Sequence, residues 1–388
     1  MSVTTPAGFT AAGVTAGLKP SGTPDLALVL NHGPHQAAAG VFTGNRIQAA
    51  PVQWSRQVLA DHGLRAVILN SGGANACTGP EGFADTHHTA EQVAAALQSA
   101  GHDTGAIDVA VCSTGLIGVR LPMDKITAAI PGLVDGLAVE GGAAAARAIM
   151  TTDTVVKQAT VVRDGWSVGG MAKGAAMLAP GLATMLVVIT TDAVVDPAGL
   201  HDQLLAATAV SFDRVDSDGC MSTNDTVLVL SSGASGVTPE PAALTTALTE
   251  VCTDLALQLV ADAEGSSHTI TIDVVNAASV VDAVEVGKSI ARNNLFKCAV
   301  FGNDPNWGRV LSAVGTTTAA FEPDRLDVSF NGVQVCRSGG IGEPRELVDL
   351  TGREVSVVVD LHAGDRQARV WTTDLTYDYV RENAEYST

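Results

Sequence analysis

Basic residues are scarce. The 388-residue chain carries 22 Lys and Arg against 41 Asp and Glu, a formal net charge of −19 at pH 7. Nucleic acids and anionic membrane surfaces attract clustered cations, so this balance argues against both as partners. An anionic small molecule remains open, because one lysine or arginine suffices for it. Cysteine is sparse too. The six (Cys77, Cys112, Cys220, Cys252, Cys298, Cys336) are scattered, with no Cys-x-x-Cys pair and no Cys/His ligand spacing. Without an apolar leader at the N-terminus, they read as buried, reduced thiols of a cytoplasmic protein. No uninterrupted apolar run approaches the ~18–20 residues of a membrane helix. The richest candidates are broken by Pro180, Gly181 and the triplet Thr190-Thr191-Asp192. The nine histidines show no paired metal spacing beyond the adjacent His87 and His88. The loop Ser71-Gly72-Gly73-Ala74 lacks Walker or dinucleotide context. The reading assigns no metal, no nucleotide, no fixed-period repeat and no low-complexity linker.

What is present supports a substantial core, since 46% of residues are hydrophobic. The length fits one large domain or two, at ~100–200 residues each. Short strands alternate with helices. Apolar runs predict strands at 65–70, 106–112, 185–190, 226–230, 269–275, 327–330, 355–360 and 368–373. Helical spacing predicts helices at 84–100, 143–150, 197–208, 241–263, 281–293 and 377–383. Residues 155–162 and 166–168 flank Arg163-Asp164-Gly165, a hairpin signal. The fold class is α/β or α+β with layered sheets.

The stretch 169–193, GGMAKGAAMLAPGLATMLVVITTDA, carries the most chemistry. Thr184 stands where a Pro-Gly-containing loop runs into an apolar strand. It reads as an ordinary β-branched strand residue, or as a nucleophile that attacks the carbonyl of Ala183 on its own N-terminal side. If that bond breaks, the new α-amine, with a reference pKa of ~7.7–8.0, becomes a base for the threonine hydroxyl. Ser113-Thr114-Gly115 reads as a plain turn or as a pair of oxyanion donors. Lys173 is a lone charge among small and apolar neighbours, so an anion is its natural partner.

These residues resemble the ornithine acetyltransferase family, whose self-cleavage site reads close to GMAKGxGMxxPxxATML; residues 170–186 match it with few departures. ILNSGGANACTG (68–79), CSTGLIG (112–118), MTTDT (150–154), STNDT (222–226), DPNWGR (304–309) and YVRENAEYST (379–388) look like further family blocks in family order. The resemblance implies a four-layer αββα sandwich, similar to but distinct from that of the N-terminal-nucleophile hydrolases. It implies self-cleavage between Ala183 and Thr184, giving an α chain, 1–183, and a β chain, 184–388, that together form one catalytic unit. It further implies acetyl transfer from N-acetylornithine to glutamate through an acetyl ester on Thr184. Thr114 and Gly115 would hold the oxyanion. Thr151 (or Thr152, the register being open by one), Lys173, Thr184, Glu264, Asn383 and Thr388 would bind substrate. No cofactor is implied, although some family members also accept acetyl-CoA as donor, which this sequence leaves open. The implied assembly is an α2β2 heterotetramer.

Two departures stand out. His268 replaces a lysine usual in the family, and Gly219-Cys220-Met221 replaces a Gly-Asp-Thr type segment. DPNWGR reads mainly as a turn and helix start, with Asn306 a weaker candidate substrate neighbour. Two rival classes remain: an N-terminal-nucleophile amidohydrolase or aminopeptidase, with water as acceptor, and a non-catalytic binding protein with an intact chain. A related branch acting on other acyl donors would use the same chemistry.

Overall fold

Glycine turns and apolar alternation organise the described residues into three sheets. The computed structural model describes residues 2–178 and 185–385. Ala183, Thr184 and Thr388, named above, lie outside the described residues. Numbering elements in chain order, the first sheet has the order β1 (Phe9–Val14), β2 (Leu26–Asn31), β4 (Ala66–Ser71), β5 (Val109–Thr114), with β4 and β5 parallel and the other pairs antiparallel. The second has the order β3 (Ala37–Phe42), β9 (Thr226–Ser231), β8 (Leu186–Thr191), β7 (Trp166–Lys173), β6 (Lys157–Arg163), with only β8 and β9 parallel. The β6–β7 hairpin closes Arg163 on Trp166 around Asp164-Gly165, and Gly165 takes a φ of 81° that favours glycine.

The two sheets pack face to face. Along the second sheet Ala38, Met171, Leu186, Val188, Leu228 and Leu230 join the core shared with the first sheet, whereas Ala39, Ala172, Val187, Ile189, Val227 and Val229 face the other way. That alternation is the period-2 signature of strands buried on both faces. Helices α1 (Ala50–Val58), α2 (Gly79–Ser99) and α3 (Met123–Asp135) cover the first sheet; α4 (Gly142–Ala148) touches β1, β2 and β7, where the sheets meet. Helices α5 (Pro197–Ala209) and α6 (Pro241–Ala261) cover the second. The layers are therefore α, β, β, α, as the resemblance implied. α6 is long and apolar enough to cross a membrane by length and composition, which the search for apolar runs did not register. Its Leu244, Leu248, Val251, Leu255 and Leu259 are buried in the core against the second sheet.

A third sheet lies beyond this stack and was not part of the implied sandwich. Its order is β13 (Gly340–Ile341), β12 (Val333–Arg337), β11 (Asp327–Phe330), β14 (Glu354–Asp360), β10 (Thr269–Ala277), β15 (Arg366–Thr373). It has its own core, with side chains from α7 (Val280–Ala291), α8 (Asn294–Phe301) and α9 (Trp307–Val314). Asn306 caps α9, accepting from Arg309 N–H at 3.2 Å, so DPNWGR is a turn and helix start as expected. The last helix, α10 (Tyr377–Glu385), returns toward the end of α6. One expectation fails. Cys112, Cys252 and Cys336 are buried free thiols, but Cys77, Cys220 and Cys298 are exposed, because they sit on loops or an outward helix face.

Candidate active site

β5 ends at Thr114, whose carbonyl oxygen accepts from the N–H groups of Gly72 (2.9 Å) and Gly73 (3.0 Å). Gly115 then turns the chain with a φ of 129°, and a β-carbon there would lie 2.6 Å from Gly73 N. Only glycine fits, on grounds of both conformation and space. Buried side chains fix this turn. Asn224 Nδ2 donates to Ser113 O (2.8 Å) and Ala74 O (2.6 Å), Ser113 Oγ donates to Asn70 Oδ1 (2.6 Å), and Asn70 Nδ2 donates to Gly73 O (3.0 Å).

Lys173, the last residue of β7, reaches this turn. Its Nζ donates to Thr114 Oγ1 at 3.3 Å, and the lysine is 2% exposed. With its oxygen accepting, the Thr114 hydroxyl keeps its proton to donate elsewhere. Among the described residues the Gly115 N–H has no hydrogen-bond acceptor. Two donors from adjacent residues are thus available together, the arrangement an oxyanion hole requires. Burial pushes the Lys173 ammonium down from its ordinary pKa, and the carboxylate of Asp153 opposes that most strongly. Among the described residues no carboxylate forms an ion pair with Lys173.

Asp153 ties the neighbouring segments together. Its Oδ2 accepts from Thr151 N–H (2.9 Å), and its Oδ1 accepts from Gly174 N–H and Lys157 Nζ (both 2.7 Å). Burial alone would raise its pKa, but the ammonium groups of Lys173 and Lys157 and the Gly174 N–H outweigh burial and hold it at about 2. Lys157 also pairs with Asp262 Oδ2 at 2.5 Å, just past the end of α6. Glu264 follows two residues later, beyond the helix and not in its last turn. Its N–H donates to Ala175 O (2.8 Å), and its Oε2 accepts from Asn383 Nδ2 of α10 (2.9 Å). A polar cavity of about 330 Å³ lies here, lined by Thr152, Asp262, Glu264, Ser267, Thr376 and Glu382. A larger groove of about 650 Å³, lined by residues such as Arg46, Gln53, Cys77 and Phe83, includes none of the site residues named above.

Thr184 itself is not described, but both flanks are. Met177 N–H donates to Asp218 Oδ2 (2.7 Å), and Leu178 exchanges hydrogen bonds with Ser217. On the far side Met185 N–H donates to Asp225 Oδ1 (3.2 Å), while Met185 O accepts from Thr226 N–H (3.1 Å). Asp225 is fully buried, and burial, opposed by the Met185 N–H, the Ser222 hydroxyl and the charge of Lys173, holds its carboxyl well above the usual range.

The structure therefore gathers Thr114, Gly115, Lys173 and Thr151 through direct bonds or one shared carboxylate, and joins Glu264 to Asn383. Sequence reasoning missed Asp153, Lys157, Asp225, Asp262 and Lys19, although Asp153 and Asp225 stand inside the blocks MTTDT and STNDT. Lys19 Nζ donates to Met150 O (2.6 Å), beside Thr151, and to Pro24 O (2.8 Å). His268 is buried, with Nδ1 2.7 Å from Asp374 Oδ2 and Nε2 2.9 Å from Leu350 O. It therefore braces the approach to α10 and not the reaction centre.

The sequence matches the profile of the ArgJ family over residues 10–388. It is 65% identical over 387 residues to the arginine biosynthesis bifunctional protein ArgJ of Streptomyces coelicolor, covering 100% of both chains. It is 59% identical over 390 residues to the protein of that name from Mycobacterium tuberculosis, covering 99% of this chain and 96% of the relative. Among solved structures, an ornithine acetyltransferase from Mycobacterium tuberculosis, complexed with ornithine, matches with 63% identity and a TM-score of 0.46. That match covers 48% of this chain and 96% of the solved one.

Proposed function

The chain belongs to the ArgJ family and is an acyltransferase of arginine biosynthesis, moving an acetyl group between N-acetylornithine and glutamate; we propose that Thr184 is the residue that carries it. In maturation, Thr184 Oγ attacks the Ala183 carbonyl carbon. The C–N bond breaks as the C–O bond forms, the leaving nitrogen takes the hydroxyl proton, and water hydrolyses the resulting ester. The products are an α chain, 1–183, and a β chain that begins with Thr184. In turnover the new α-amine takes the hydroxyl proton while Oγ attacks the acetyl carbon of N-acetylornithine. Ornithine leaves with a proton from that amine. Glutamate then attacks the acetyl-threonine ester and departs as N-acetylglutamate. The acetyl group rides on the enzyme, so no cofactor takes part.

One observation carries this reading. Lys173 holds the Thr114 hydroxyl as an acceptor, which leaves its proton, with the Gly115 N–H, for a developing oxyanion. Glu264, bonded to Asn383, offers a carboxylate to the substrate's side-chain ammonium. Thr151 and Lys173 belong to the same pocket by way of Asp153, and the C-terminal Thr388 completes the binding set. The working enzyme on this reading is an α2β2 assembly in the cytoplasm, where the six free thiols are at home. Acetyl-CoA would serve as a second donor by acylating the same threonine.

Intact-mass spectrometry tests the nucleophile. Wild type is expected as two fragments divided at Ala183-Thr184, with an acetyl adduct on the Thr184 fragment after brief exposure to N-acetylornithine. Thr184→Ala is expected uncut. A wild-type chain that stays whole and unmodified rejects the proposal.

A further inference from the structure

The substrates of this reaction present three features in line: a carboxylate, an acyl-bearing nitrogen and, in ornithine, a terminal ammonium. The site has a place for two of them. Thr114 and Gly115 face the acyl group, and Glu264 suits the ammonium. Lys173, a lone cation in the sequence, is one candidate for the carboxylate, but its ammonium is turned to the Thr114 hydroxyl at 3.3 Å and serves the oxyanion turn. A second cation stands near that turn. Lys19 lies in a loop held by the buried carboxylate of Asp25, which accepts from the N–H groups of Ala16 (2.6 Å), Leu18 (2.5 Å) and Lys19 (3.1 Å). Leu18 packs on Gly72, where a β-carbon would lie 3.1 Å from the Leu18 carbonyl carbon. Gly72 N–H is itself bonded to the Thr114 carbonyl. The Lys19 ammonium is thereby set against Met150 O, next to Thr151. Two of its three N–H groups are used, on Met150 O and Pro24 O, and among the described residues the third has no acceptor.

We propose that Lys19, together with Thr151, receives the carboxylate of the amino-acid substrate. This inference rests on the acetyl-transfer reading above. The electrostatics of the site agree with it. Lys19 feels the positive charge of Lys173, and both lysines feel the carboxylate of Asp153, so the two cations share one site. Half-burial lowers the Lys19 pKa, and a bound carboxylate relieves both that penalty and the repulsion from Lys173.

The test compares N-acetylornithine with N-acetyl-1,4-diaminobutane, the same donor without its carboxylate. Wild type, Lys19→Ala, Lys19→Arg and Lys125→Ala are assayed for kcat/KM on both. Lys125 Nζ donates to Gly17 O of the same loop from an exposed position, so its loss loosens the loop without touching the site. Lys19→Ala is expected to lower kcat/KM for N-acetylornithine by roughly 10–100-fold. It should leave the decarboxylated donor nearly unchanged, so that the preference for the carboxylate collapses. Lys19→Arg should restore part of that preference, and Lys125→Ala should keep all of it. An unchanged preference in Lys19→Ala, or equal losses on both donors, overturns the assignment and leaves Lys19 a loop fastener. A wild type inactive on N-acetylornithine would reject the acetyl-transfer reading itself, a distinct outcome.

Discussion

On the proposed mechanism Thr114 and Gly115 act at one point through different atoms, and that makes them separable. Thr114→Ala removes a side-chain donor and also the acceptor of Lys173. Thr114→Ser keeps both. Removing one oxyanion donor typically costs ~10²–10³ in kcat. Thr114→Ala is therefore expected to lose about that much in kcat with KM little altered, and Thr114→Ser to recover most of it, as steady-state kinetics will report. Gly115→Ala should be worse, because its β-carbon would meet Gly73 N at 2.6 Å and push the whole turn off the Gly72-Gly73 loop. Equal KM effects and an unchanged kcat in Thr114→Ala would contradict the oxyanion role. These two residues and Lys173 were legible because their motifs are compact. Asp153, Asp225 and Lys19 were not, because each acquires its role from a distant meeting. Asp225 meets Met185, and Lys19 meets Met150 across 131 positions. No local pattern announces a contact of that kind.

At the scale of elements, the junction between β6, α6 and the 150–154 loop decides whether the pocket is preassembled. Lys157 opens β6, Asp153 precedes it by four residues, and Asp262 follows α6; the side chains of Lys157 and Asp153 are 0% exposed. Asp262 also accepts from Thr154 N–H (3.0 Å) and from the Thr154 hydroxyl. Removing one member of a buried pair strands the others and costs ~3–5 kcal/mol. Lys157→Met should destabilise by about that amount in urea unfolding. Wild type should show a matching acid sensitivity. The folded pKa of Asp153 is depressed, so its stabilisation is present above the unfolded value of 3.8 and disappears as pH falls toward about 2. A Lys157→Met midpoint equal to wild type at neutral pH would show that this cluster holds nothing together. The strands and helices on either side of this junction were largely readable, from the β6–β7 hairpin to α6, because apolar period and turn chemistry agree there. β1 (FTAAGV) and β3 (AAAGVF) were not, since alanine and glycine carry no strand preference and their extended state comes from pairing with β2 and β9. The eight-residue α8 escaped for a related reason: a helix so short is held by its packing, not by its own sequence.

For the whole molecule, the third sheet is more than an appendage, because it grips the chain just ahead of the segment that contains Thr184. Lys297 of α8 is buried and donates to Ser217 O and to Thr372 Oγ1 of β15 (3.2 Å). Ser217 and Asp218 hold Leu178 and Met177 in turn. Arg292 Nε adds a 2.5 Å bond to Asp216 from the end of α7. Burial pulls the Lys297 pKa down to about 8. A lysine lowered on folding binds fewer protons in the native state than in the unfolded one between that value and 10.5, so its contribution to stability rises with pH across that window. Lys297→Met removes this titration and leaves the Ser217 carbonyl and the Thr372 hydroxyl without their donor. The melting temperature of wild type should therefore exceed that of the variant by a margin that widens from pH 7.5 to pH 10. Other titrating groups are common to both proteins and cancel in the difference. A margin that stays constant with pH would mean that Lys297 does not titrate in this window. If the same variant also cleaves more slowly at the proposed Ala183-Thr184 junction, then the third sheet sets the position of that segment as well as closing the fold.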